Sequence, residues 1–165
     1  MTLSPSQTLA KDLRSLADAL LDDVETVLQT LPEAALNATP EGFDNNAFTL
    51  IYHLLGSARY WVGEVVGGLP SGRVRMEEFG RSGAKAELEE RLADTRARLH
   101  QTLDRLDDTA LEDRPVDLSK GVLSWGEMPE TGRTSVWVIA HDLSHVAYHL
   151  GQLKLIEGLW QKGKL

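Results

Sequence analysis

The stretch "SPSQTLAKDLRSLADALLDDVETVLQTLP", residues 4–32, reads as one complete helix with both ends marked. Ser4 stands before Pro5, and Gln7 follows three residues after Ser4. That is a capping box with a proline at the first helical position, where its missing N–H costs nothing. Leu9, Leu13, Leu16, Leu20, Val24, Val27 and Leu31 then recur at threes and fours, the spacing of an amphipathic helix. Pro32 ends the run near Leu31.

Working outward from this helix, residues 32–44, "PEAALNATPEGFD", are a connector with a short turn around Ala34 to Leu36. A second helix is expected from an N-cap at Asp44 or Asn45. It runs through "NAFTLIYHLLGSARYWVGEVVGG" to Gly67 and Gly68, with Pro70 beyond. A third opens near Ser82. Its stripe is Leu88, Leu92, Leu99, Leu103 and Leu106, interrupted at Thr95 and Arg96, and its opposite face is charged. A fourth starts near Thr134 or Ser135 and reaches about Trp160. It is apolar on almost every side, the pattern of an element buried among others. Residues 107–133 have no helical period and leave room for a short hairpin around Gly121 to Gly126; irregular stretches of that length are often functional. The expected architecture is all-α: a four-helix bundle with a long irregular segment before the last helix, forming a single domain over residues 1–165. The connectors after the first two helices suit crossovers as well as tight turns.

Composition narrows the function. The chain has 165 residues, no cysteine and a net charge of −8, so disulfides, thiolate metal sites and cysteine nucleophiles are excluded. Any transition-metal site must use imidazole, carboxylate or water. No run of Lys or Arg marks a nucleic-acid surface. No signal peptide and no membrane span is legible. A cytoplasmic protein acting on a small molecule, without nucleic acid or membrane partners, is the expectation.

The histidines are the distinctive feature. In "HDLSHVAYHLGQ", residues 141–152, His141, His145 and His149 stand four apart. Four residues advance about 6 Å along a helix and turn about 40°, so two such rings can aim at one point. All three would span roughly 12 Å, too far to share one ion without distortion. A metal would therefore take one pair and a ligand from another helix. His53, mid-helix between Ile51, Leu54 and Leu55, is the natural candidate, because bundles build metal sites from facing side chains in the core. His100 lies beside the Leu99 and Leu103 stripe and is expected at the boundary, half exposed.

"HLLGSARYW" (residues 53–61) and "HVAYHLGQL" (residues 145–153) resemble the two signatures of the DinB/YfiT-like superfamily of metalloenzymes. The resemblance covers nearly the whole chain, with both motifs in their places. It implies that His53, His145 and His149 bind one divalent metal, zinc or nickel. Three histidines leave open coordination positions, the arrangement of a catalytic site. His141 falls outside the motif and is a candidate proton shuttle or substrate contact, or else a surface histidine. Gln152 shares the face of His149, and its amide can hydrogen-bond a ligand ring or a metal-bound water. Gly151 is expected to admit a neighbouring helix. Tyr60 and Trp61 are expected to anchor the core, and Trp125 and Trp137 to wall a pocket.

Activities in this superfamily imply transfer of a low-molecular-weight thiol to an electrophilic substrate, the metal lowering the pKa of the bound thiol. A hydrolase using bound water is the alternative. It needs a general base, and neither Asp142, turned about 100° from His141, nor Glu64, nearly three turns from His53, is convincingly placed. A non-catalytic metal-binding stress protein is the third reading. The resemblance also implies a homodimer, with the first or second helix as the contact, since the charged face of the third suits solvent.

Overall fold

A computed structural model describes residues 4–112 and 133–165. It contains α1 (Pro5–Thr30), a short α2 (Glu33–Asn37), α3 (Ala47–Ala58) continued by a π-helical stretch (Arg59–Val66), α4 (Lys85–Leu103) and α5 (Ser135–Gln161). Two 3₁₀ turns, Arg75–Glu78 and Asp108–Leu111, lie in the connections. There is no β-strand among the described residues. The hairpin expected at Gly121 to Gly126, and Trp125, lie outside them.

The bundle is all-α, and its topology follows from side-chain pairs. Arg14 meets Asp104 and Arg96 meets Asp22, so α1 and α4 run antiparallel. His53 meets His145 and Ser57 meets Asp142, so α3 and α5 do too. A Cβ on Gly56, Gly63 or Gly67 would touch Arg91, Arg98 or Thr102 respectively, a constant offset that makes α3 and α4 parallel. Each of α1 and α3 packs against both α4 and α5. The order is therefore up, down, down, up, with α1 and α5 parallel. Because α3 and α4 point the same way, the chain between them has to travel back along the bundle.

Local signals explain most boundaries. The capping box at Ser4 and Gln7 is formed in both directions. The cap of α3 is Asn46, one residue beyond the expected pair, and its Oδ1 accepts from Thr49 N at 2.7 Å. Helix α4 begins at Lys85 rather than Ser82, with no side-chain cap of its own residues at Ala84. Instead Glu33 of α2 accepts from Lys85 N at 2.9 Å, so the orphan donor is satisfied across the fold. Thr95 is fully buried and turns its hydroxyl back onto Arg91 O at 2.8 Å, so the α4 stripe runs through the expected interruption.

Three packing expectations change. On α1 the core takes Ala17, Leu21 and Leu28, while Leu16 is exposed. The second helix does not stay α-helical to Gly67 but widens at Arg59. Nor is α5 enclosed on all sides: Ala140, Ser144, Ala147, Tyr148, Gly151 and Leu155 are exposed. Among the described residues nothing lies against Gly151, so no neighbouring helix approaches it there. The continuous core lies between these helices and includes Leu28, Phe48, Ile51, Leu54, Leu99, Ile139 and Leu153. Tyr60, Trp61 and Val138 form a smaller cluster at one end of the α3–α5 seam.

Candidate metal centre

His53 projects from α3 and His145 and His149 from successive turns of α5, and their rings meet in the seam between the two helices. His145 Nε2 lies 3.2 Å from His53 Nε2 and 3.1 Å from His149 Nε2. One ligand atom from each ring falls within 4.8 Å of the others, a group able to hold a metal ion. Nitrogen ligands of a tetrahedral ion with bonds of about 2.0–2.1 Å sit roughly 3.3 Å apart, so the spacing suits one cation.

The outer edges of the rings say more. His53 Nδ1 donates to Glu78 Oε2 at 2.7 Å, and His149 Nδ1 donates to Gln152 Oε1 at 2.7 Å. A carboxylate and an amide oxygen can only accept, so both rings carry their proton on Nδ1 and present Nε2 lone pairs inward. His145 can donate from Nε2 to only one of them. Lone pairs brought this close call for a cation, so the residues fit a divalent metal.

Electrostatics favour the neutral rings that ligation needs. Burial pushes His145 down to about pKa 3, with the neighbouring His149 and His53 adding to the effect. Burial also lowers His149, against the hydrogen bond to Gln152 that raises it. His141 is half-buried, lowered by desolvation, and its ring stacks on Trp137 at 5.2 Å with Trp61 edge-on at 6.2 Å. It is therefore neither a plain surface residue nor one of the converging three. His100 is partly buried far from this seam, bonded to Asp18 at 2.6 Å.

Two carboxylates stand at the seam: Glu78, to which no motif pointed, and Asp142, which its turn away from His141 had set aside. Glu78, almost fully buried, arrives on the returning α3–α4 connection. Arg73, on the same connection, clamps it through Nε to Oε1 at 2.7 Å and Nη2 to Oε2 at 2.9 Å. Burial pushes the Glu78 carboxyl up, but the hydrogen bonds from His53 and Arg73 and the Arg73 charge leave it below its usual value. Gly56 makes room: a Cβ there would collide with Glu78 Oε1. Asp142 is wholly buried, accepts from Ser57 Oγ at 2.7 Å, and is pushed up to about pKa 7 by desolvation. The helical turn that takes it away from His141 takes it into the α3–α5 seam. No periodic signal pointed to Glu78 or Arg73, which sit in a connection; only the parallel course of α3 and α4 brings them back to His53.

No curated protein and no solved structure matches the chain. The family model of the DinB superfamily matches residues 16–153, which include His53, His145, His149 and Gln152. A three-histidine group within that match, in an all-α bundle, identifies the chain as a member of the DinB superfamily.

Proposed function

We propose that the protein is a divalent-metal-dependent transferase that joins a low-molecular-weight thiol to an electrophilic small molecule. The observation that carries this reading is the inward convergence of His53, His145 and His149 with two outer edges tied to Glu78 and Gln152. Three histidine ligands leave coordination positions for an exchangeable group. A zinc or nickel ion held there would lower the pKa of a thiol bound to it, and so supply a thiolate at neutral pH. The chain has no cysteine, so the sulfur comes with the co-substrate.

The chain's own residues orient and desolvate. Glu78 and Gln152 fix the tautomers of His53 and His149. His141, half-buried and with its pKa lowered by desolvation, is the candidate to take the proton that the thiol gives up on becoming a thiolate; the thiolate then bonds to carbon, and the displaced group, or the carbon beside the new bond in an addition, takes up a proton. Trp61 and Trp137 hold the His141 ring. The hydrolase alternative is weaker, because Glu78 is already engaged by His53 and Arg73, and Asp142 is wholly buried with one oxygen held by Ser57. For assembly as a homodimer, we propose the exposed side of α5 around Ala147 and Leu155 as the contact, in place of the first or second helix. Sedimentation of wild type against Leu155→Lys checks it.

The test incubates zinc- or nickel-loaded protein with a bacterial low-molecular-weight thiol and an electrophile, following thioether formation. Metal-dependent conjugation supports the reading, and its absence with every thiol sinks the transferase. His145→Ala is the control: unchanged metal content with the fold intact would remove the metal site itself.

A further inference from the structure

Of the three converging rings, His53 and His149 have an outer partner and His145 has none: its Nδ1 is buried and unbonded among the described residues. One other buried atom on the same helix shares that condition, Asp142 Oδ2, while its sister Oδ1 is held by Ser57. Asp142 and His145 are three residues apart, so they are neighbours on one face of α5, with Cβ atoms about 5–6 Å apart. Both look across the seam to α3, where Ser57 and His53 stand four apart. With Nε2 turned to a metal, the His145 proton sits on Nδ1, so an N–H donor and a carboxylate oxygen would both be buried without a partner, at more cost than a hydrogen bond returns. A single water between them would satisfy both, since it can accept from one and donate to the other.

We propose that Asp142 is the positioning residue for His145, holding an ordered water that accepts from His145 Nδ1–H and donates to Asp142 Oδ2. This rests on the metal reading above. It makes the outer support of the site threefold: Glu78 for His53, Gln152 for His149, and Asp142 through water for His145. Ser57 sets the carboxylate's orientation by occupying Oδ1, which leaves Oδ2 for the water. The arrangement fixes the His145 tautomer with its Nε2 lone pair inward, as ligation requires.

The experiment compares wild type, Asp142→Leu and Asp142→Asn in the full chain, with zinc as the probe. Zinc affinity from chelator competition is expected to fall about 10–100-fold in Asp142→Leu and less in Asp142→Asn, which still offers the water a polar partner. The denaturation midpoint of each metal-free variant is measured alongside, so a loss of fold is told apart from a loss of zinc affinity, and Asp142→Asn, nearly the same shape, carries the test where Asp142→Leu does not fold. In zinc-loaded protein, the His145 Nδ1–H proton is expected to exchange slowly in wild type and quickly in Asp142→Leu, with those of His53 and His149 unchanged. Zinc affinity within twofold of wild type, or an unaltered His145 proton, overturns the assignment of Asp142. A wild-type protein that binds neither zinc nor nickel overturns the metal reading beneath it, a different result from normal binding that ignores Asp142.

Discussion

Glu78 Oε2 accepts the Nδ1 proton of His53 across 2.7 Å, from a residue 25 positions further along the chain. The pair is buried on both sides, and Arg73 balances the carboxylate's charge with two hydrogen bonds. His53 is thereby oriented from a connection rather than from its own helix.

Replacing Glu78 by alanine strips both His53 and Arg73 of their buried partner. Leaving a buried cation unpaired costs roughly 3 kcal/mol or more. Urea denaturation of the metal-free protein should show a loss on that scale. Glu78→Gln keeps an acceptor for His53 and should lose less stability. It should still bind zinc or nickel about tenfold or more weakly, since a neutral amide supports the ring less well. Equal metal affinity in Glu78→Gln and wild type would mean that Glu78 does not tune the ligand.

Gly56→Ala addresses the same pair from the other side. Its methyl would strike Glu78 Oε1 and press on Arg91 Nη2, 3.1 Å from the added carbon. Overpacking of this kind costs about 1–3 kcal/mol. The variant should also lose metal affinity, because the carboxylate is displaced from His53. Thermal melts with and without zinc separate the two effects, and a variant as stable as wild type would show that Glu78 gives way freely.

The pH dependence has two opposed parts. The folded state holds His145 near pKa 3, below the unfolded value of about 6.5, so it binds fewer protons in that window. Its stability contribution is present above pH 6.5 and lost as pH falls toward 3, with His149 acting in the same direction. Asp142 works the other way, since its folded pKa of about 7 exceeds the usual 3.8. Its contribution is present below pH 3.8 and lost as pH rises through 7. Asp142→Asn removes only the second part. The stability of metal-free Asp142→Asn relative to wild type should therefore rise between about pH 4 and 7 and then level off. A difference independent of pH would show that Asp142 does not titrate in that range.

The sequence made α1 legible because its cap, stripe and terminal proline all act locally, within a few residues of one another. The histidine pair on α5 was legible for the same reason, as helical spacing alone puts His145 beside His149. Long-range devices were not. Glu33 capping α4, Arg73 and Glu78 reaching His53, and the exposed face of α5 all depend on which helices are parallel and which are neighbours. Leu16 and Leu21 show the limit within one helix: both fit an apolar spacing, and only the packing partners decide that Leu21 is buried.

The π-helical stretch Arg59–Val66 is the closing part of the helix that α3 begins, and the chain leaves helical structure at Gly67. Before it, His53 and Ser57 are registered on α5; after it, Gly67 lies against Thr102 of α4. Wide turns of this kind hold one residue more per hydrogen-bonded loop than α turns do. The regular α-helical part therefore sets where His53 and Ser57 meet α5, and the wide turns are confined to the end that carries Trp61 against His141. A single helix thus gives the ligand and the residue beside the pocket different backbone geometries.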